Sequence, residues 1–141
     1  IKHAGSTELD KKCFPVVGLM SEWNKEGKIV KGTNKELGGT MRLGLYEAKL
    51  RHNSLVKKIY NSTNIKERHR HRYEVNKHLQ SKFESNGMIF SGMSLNNNLP
   101  EIIELKNHPW FIGVQFHPEF KSRPLNPHPL FSSFIKAAKS K

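Results

Sequence analysis

The sequence predicts an α/β domain, or the C-terminal part of one, with an antiparallel extension in its middle. Apolar runs of strand length recur at FPVVGLM, TMRLGLYEAKL, MIFSGMS, EIIELK and WFIGVQF. Segments with helical spacing of apolar residues stand between and after them. Turn-forming stretches such as NNNLP and NHP separate successive runs, with no repeat and no extended linker. One domain therefore accounts for all 141 residues, 1–141.

Phe14 to Met20 suits a short buried strand entered after Pro15. SEWNKEGKIVKGTNKELGG is polar and flexible and predicts a loop with a small hairpin around KIV. From Thr40 to Leu50, alternation puts Met41, Leu43 and Leu45 on one side of a strand and Arg42, Gly44 and Tyr46 on the other. HNSLVKKIYNS predicts a short helix capped at Asn53 or Ser54, because Leu55, Val56, Ile59 and Tyr60 share a face. NKHLQSKFESNG predicts another, with Leu79 and Phe83 one turn apart and Gly87 near its stop. MIFSGMS, EIIELK and WFIGVQF follow as strands. HPLFSSFIKAAKSK is the clearest helix: Pro129 fits its first turn, and Leu130, Phe131, Phe134, Ile135 and Ala138 form a stripe expected to face inward.

Composition narrows the partners. Lys and Arg number 24 against 12 Asp and Glu, and the resulting formal charge of +12 favours anionic ligands. A hydrophobic fraction of 35% is lean, as expected where part of a core is supplied by other polypeptide. The single cysteine, Cys13, excludes an internal disulfide framework and a multi-cysteine zinc site. No apolar run approaches the roughly 18 residues of a membrane span, and no leader peptide is legible, so a cytoplasmic setting is expected. The chain opens IKHAGSTELDKK without a start methionine, as an excised piece of a longer polypeptide would.

Two motifs carry chemistry. GVQFHPEF ends an apolar strand at His117, Pro118 and Glu119. A carboxylate beside an imidazole selects its tautomer and favours the imidazolium, so this pair is either a turn with structural hydrogen bonds or a base and its orienter. A base needs a nucleophile, and the chain offers none: Cys13 stands among Lys11, Lys12, Phe14 and Pro15, and Ser6, Ser21 and Ser62 lack a nucleophile turn. KERHRHRYEVN, if extended, points Arg68, Arg70 and Arg72 one way and His69 and His71 the other. Such arginines hold a carboxylate, hold a nucleic-acid backbone or remain a solvated ribbon. Histidines two residues apart do not complete a metal-ligand pattern, so no metal is expected.

LGGTMRLG permits close backbone approach but lacks the GK[ST] of a phosphate loop, and serves either a ligand or a turn. Trp23 and Trp110 form no stacking platform, and a core or rim role is expected of Trp110.

Together, STE with the following PVVGLMSEW, LGGTMRLG, ERHRHRYEVN, EIIELKNHPWF and GVQFHPEFKSRPLNPHPLF resemble, in order and over nearly the whole chain, the C-terminal glutamine amidotransferase domain of the CTP synthase family. The resemblance implies the C-terminal portion of a class I amidotransferase fold, with a mainly parallel central sheet flanked by helices and a small antiparallel extension. It implies Cys-His-Glu chemistry in which His117 transfers protons and Glu119 supports it. It further implies that Arg72 contacts the glutamine carboxylate and that Tyr73 positions glutamine through its backbone. Thr40 and Arg42 become candidates for coupling to GTP, an allosteric activator.

The implied parent uses ATP and Mg2+ to aminate UTP to CTP, no cofactor being expected in this chain itself. Its implied partners are a synthetase domain, the preceding part of the amidotransferase domain that carries the nucleophilic cysteine, and a homotetrameric assembly. These residues alone are then not catalytically competent. Two readings of another class stand beside it: a basic RNA-binding module using Lys66 to Arg72, with steep salt dependence, and a noncatalytic interaction module.

Overall fold

The computed structural model describes residues 1–19, 24–25, 28–29, 41–95 and 99–140, the pairs 24–25 and 28–29 by their backbone alone. Strands are β1 (Ala4–Ser6), β2 (Phe14–Gly18), β3 (Asn24–Lys25), β4 (Lys28–Ile29), β5 (Arg42–Leu50), β6 (Asn64–His71), β7 (Glu74–Val75), β8 (Met88–Ser94), β9 (Pro100–Leu105) and β10 (Ile112–Val114). Helices are α1 (Leu55–Tyr60), α2 (Gln80–Glu84) and α3 (Pro129–Lys139), with 3-10 turns at Lys77–Leu79 and Pro118–Lys121.

The main sheet has five strands in the order β10-β9-β8-β5-β6, and every pair in it is antiparallel. A smaller sheet, β1-β2-β7, joins β1 to β2 in parallel and β2 to β7 antiparallel. The mainly parallel sheet expected above is therefore not what the described residues form. Two of the main sheet's four neighbouring pairs, β8–β9 and β9–β10, are consecutive strands with only a few residues between them, fewer than the crossover a parallel pair ordinarily needs. The small hairpin around KIV is present as β3 and β4.

Local chemistry explains the helices. Ser54 accepts from the Lys57 N–H, while the buried Glu104 carboxylate accepts from the Leu55 and Val56 N–H groups at 2.9 Å each, so a side chain from β9 finishes the cap of α1. Asn61 closes that helix in the left-handed conformation. Gly87, at φ +89°, ends the turn after α2, where a side chain would be strained. Pro129 occupies the first turn of α3 as expected.

One core lies between the main sheet and helices α1 and α3. It consists of Ala48, Leu50, Val56, Ile65, Ile102, Phe116 and Leu130. Two apolar patterns do not face it. On β5, Arg42 and Tyr46 turn inward while Leu43 and Leu45 are exposed. On α3 only Leu130 is buried, and Phe131, Phe134 and Ile135 remain exposed instead of forming an inward stripe. Trp110 takes the rim position expected of it, donating to Ser133 Oγ at 2.8 Å and packing against Phe134. Among the described residues, no helix is long and apolar enough to cross a membrane.

Ile102 is 1% exposed and fills the space above Gly92, where an added Cβ would stand 2.7 Å from its Cγ1. Ile102→Ala is expected to lower the unfolding free energy by about 2–5 kcal/mol, read as a shift of the urea midpoint at unchanged slope.

Candidate active site

β6 organises the site. Its residues alternate between exposed and buried, so Arg68 and Arg70 face outward while Glu67 and His69 are buried, with His71 partly buried at the strand's end. The alternation read from RHRHR is present, and Arg72 continues the exposed row just beyond the strand. The buried row is polar, and each member requires partners.

Glu67 is 2% exposed, and three donors from three segments reach its Oε1. Tyr60 Oη donates at 3.0 Å, Lys121 Nζ at 3.2 Å and His128 Nε2 at 3.2 Å. His128 Nδ1 accepts from the Leu130 N–H and so caps α3, which leaves the ring's proton on Nε2, facing Glu67. Burial pushes the Glu67 carboxyl up, but hydrogen bonding from His128 and the charge of Lys121 outweigh it and hold it below its ordinary 4.5. Burial beside that carboxylate raises the Tyr60 hydroxyl. Lys121 also donates to the Lys66 carbonyl at 2.6 Å. The cluster thereby clamps the 3-10 turn Pro118–Lys121 to β6.

His117 immediately precedes that turn. Its N–H donates to the Arg68 carbonyl at 2.8 Å, and its ring stacks on Phe120 with centroids 5.0 Å apart and planes 7° from parallel. Its Nδ1 is buried with no hydrogen-bond partner. Glu119 is exposed at the surface of the same turn, so the structure does not bring the two together as a hydrogen-bonded pair. The imidazole is held by its backbone and by Phe120, with one nitrogen waiting for a partner.

A second buried cluster surrounds Arg42. The guanidinium lies 2.7 Å from Glu101 Oε1 and 3.4 Å from Glu74 Oε1, and stands over the Tyr46 ring at 4.5 Å. His69 Nδ1 and His71 Nε2 are 2.8 Å apart, His71 Nδ1 is 3.1 Å from the Tyr73 carbonyl oxygen, and His69 Nε2 is 3.6 Å from Glu101 Oε2. Burial pushes Glu74 and Glu101 each up to about 7, against the pull of Arg42. Burial, with the Arg42 charge, lowers His69 to about 3; burial also lowers His71, to about 4. Both imidazoles are thus neutral near pH 7.

Donor atoms of His69, His71 and Glu101 all lie within 4.8 Å of one another, so the acid missing from the histidine pair in sequence is supplied by β9. The set does not fit a metal ion. One nitrogen of each histidine is spent on the other, His71's second on a carbonyl, and Arg42 already provides the cation.

Arg72 is exposed and Tyr73 half-buried, in the turn between β6 and β7 that the His71 contact anchors. Thr40, Trp23 and the paired glycines of LGGTMRLG lie outside the described residues. Arg42 is partly buried, its side chain 12% exposed, with its guanidinium facing Glu101 and Glu74. Cys13 is a half-buried free thiol packed over Gly5, with no hydrogen bond linking it to His117 among the described residues. On the outer face, Arg68, Arg70, Arg123, Leu43, Met41 and Phe120 line an open groove of about 680 Å³ beside His117. Sequence reasoning missed Glu67, Glu101, Glu104 and His128. The nearest signal was the density of ionisable residues in ERHRH and HPL, which did not say who meets whom.

Residues 17–137 match the profile of the family described as "Glutamine amidotransferase class-I". The CTP synthase of Pelagibacter ubique is 71% identical over 140 residues, which are 99% of this chain and 26% of that protein. The CTP synthase of Hyphomonas neptunium is 58% identical over 139 residues, again 26% of its length. The chain thus spans about a quarter of the length of these curated relatives. A solved structure, the Trypanosoma brucei CTPS glutaminase domain with bound acivicin, superposes with a TM-score of 0.79 at 33% identity, covering 99% of this chain and 52% of that one.

Glu67→Leu removes the acceptor shared by Tyr60, Lys121 and His128 and is expected to cost about 3–5 kcal/mol in chemical denaturation, with Glu67→Gln costing less. Because the Glu67 carboxyl is depressed below 4.5, its contribution is present above that pH and disappears as pH falls through the lower folded value, which acid titration of wild type against Glu67→Gln reads out.

Proposed function

The chain belongs to the class I glutamine amidotransferase family, and from that premise we propose that it serves the glutamine-hydrolysing half-reaction of a CTP synthase. One observation supports this reading: the His117 N–H is bonded to the Arg68 carbonyl, so the histidine assigned here to proton transfer hangs on the strand that leads to Arg72. Four extended residues separate these points, about 13 Å of strand. A glutamine molecule and an arginine side chain together bridge such a span, with the amide at one end and the carboxylate at the other.

In this reading a cysteine thiolate attacks the side-chain amide carbon of glutamine. His117 delivers a proton to the departing ammonia and then takes one from the water that hydrolyses the thioester. Glu119 swings from the surface of its turn to the orphaned Nδ1 of His117, selecting the tautomer and supporting the imidazolium. Arg72 pairs with the glutamine carboxylate through two parallel hydrogen bonds, and the Tyr73 backbone lies alongside. The thiol comes from polypeptide other than these residues, since Cys13 is packed over Gly5.

Released ammonia passes to a synthetase domain that uses ATP and Mg2+ to aminate UTP. GTP regulates the pair in this proposal, and the buried ion pairs of Arg42 support an architectural role for that residue in coupling. Thr40 is the second candidate for that coupling. A homotetramer in the cytoplasm is the assembly this reading carries.

The test uses the full-length parent. His117→Ala is expected to abolish most glutamine turnover, and Arg72→Ala to reduce glutamine kcat/KM by about 10²-fold, chiefly through KM. Ammonia-dependent CTP formation is expected to persist in both. Unchanged glutamine-dependent activity in either variant contradicts its assigned role, and steeply salt-dependent RNA binding with no glutaminase activity would favour the nucleic-acid reading instead.

A further inference from the structure

The main chain of His117 is fixed at both of its polar groups. Its N–H donates to the Arg68 carbonyl at 2.8 Å, and its carbonyl accepts from the Phe120 N–H at 3.1 Å. These bonds set where the Cβ stands. They do not set the plane of the ring, because rotation about the Cβ–Cγ bond of a histidine is broad and roughly two-fold. The buried Nδ1 has no hydrogen-bond partner to select an orientation. A flat neighbour does so instead: the Phe120 ring lies 7° from parallel to the imidazole, with centroids 5.0 Å apart. At that separation two parallel rings are offset, the arrangement that stacked aromatic rings prefer.

Phe120 is itself anchored. It stands in the 3-10 turn Pro118–Lys121, which Lys121 Nζ holds to β6 through the Lys66 carbonyl at 2.6 Å and Glu67 Oε1 at 3.2 Å. Phe120 also lines the outer groove, together with Met41, Leu43 and Arg68, whereas His117 does not. Its ring therefore forms the wall between the imidazole and open solvent. At 38% exposure, core packing does not call for an aromatic ring here, and an aliphatic side chain would cover similar surface. Only a flat one fixes a plane.

We propose that Phe120 is a positioning residue for the proton transfers at His117, its ring selecting the plane in which the imidazole works. The inference rests on the reading of His117 as the group that moves protons in glutamine hydrolysis. An imidazole gives and takes its proton along directions that lie in the ring plane, so the plane decides which atoms it reaches. Stacking alone permits two orientations related by a half-turn, and Glu119 at Nδ1 chooses between them. Phe120 thus acts through His117. Glutamine binding at Arg72 does not depend on it, so its effect falls on turnover.

The experiment measures kcat and KM for glutamine in the full-length parent carrying Phe120→Leu or Phe120→Tyr, with ammonia-dependent CTP formation as the control for folding. Phe120→Leu is expected to lower kcat about tenfold, a share of the roughly 10²–10⁴-fold that a positioned acid-base group contributes. Its KM is expected to stay within about twofold of wild type. Phe120→Tyr keeps the flat ring and is expected to recover kcat to within about threefold of wild type. A merely structural role would lower both variants alike, or lower ammonia-dependent CTP formation as well, and either result overturns the proposal. Wild-type kcat in Phe120→Leu, or a loss confined to KM, does the same. Where Phe120→Leu fails to fold, a crystal structure of the wild-type parent with a glutamine analogue on its thiol decides. Rings within about 30° of parallel support the proposal, and rings crossed or separated overturn it. Glutamine turnover that survives His117→Ala overturns the assigned role of His117 and this inference together. An inactive His117→Ala beside a fully active Phe120→Leu overturns this inference alone.

Discussion

Everything near the site depends on how β6 buries a polar face. Glu67, His69 and His71 point into the fold at positions where a strand of this kind would ordinarily carry aliphatic residues. A buried carboxylate is tolerable only when paired and hydrogen-bonded, so Glu67 requires Lys121, His128 and Tyr60. Those partners come from α1, from the turn after His117 and from the start of α3. One acid therefore ties three segments to one strand, two of them more than 50 positions away in sequence. At the other end, His71 ties the strand to the Tyr73 carbonyl, and Arg42 with Glu101 and Glu74 fills the space behind it.

The consequence is a division of labour along a single strand. Its inner face fixes position, and its outer face, with Arg68 and Arg70, borders the open groove beside Phe120 and His117. His117 illustrates the difference between being placed and being complete. Its backbone and ring plane are set by Arg68 and Phe120, yet Nδ1 lies buried without a partner. A buried nitrogen in that state is costly, and native interiors rarely leave one so. Functional sites are where such exceptions concentrate, because the missing partner arrives with the reaction.

Local features were legible in the sequence because local physics sets them. Ser54 caps its helix, Gly87 stops another, and RHRHR alternates across a strand as its spacing dictates. Facing and pairing were less legible. Alternation separated Leu43 and Leu45 from Arg42 and Tyr46 on β5 without saying which side is inner; Arg42 and Tyr46 take it, beside Glu74, Glu101 and His69. The α3 stripe likewise reads as inward, while only Leu130 is covered. Strand direction depends on which runs become neighbours, and the family resemblance supplied a parallel sheet that these strands do not build. Glu67 meets His128 across 61 positions, and Glu104 meets Leu55 across 49; no spacing rule reaches that far. The HPE motif named a histidine and a glutamate correctly as neighbours in sequence, but not as a formed pair.

The proposed function requires β6 to set the distance between His117, proposed to handle protons, and Arg72, proposed to bind the glutamine carboxylate. A crystal structure of the full-length parent, with a glutamine analogue attached to its nucleophilic thiol, measures that directly. The account predicts Arg72 paired with the analogue's carboxylate, His117 within hydrogen-bond distance of the reacting end, Glu119 at Nδ1, and a β6 backbone superposable on the present one. An analogue whose carboxylate is held elsewhere, with His117 out of reach of the thiol, contradicts it.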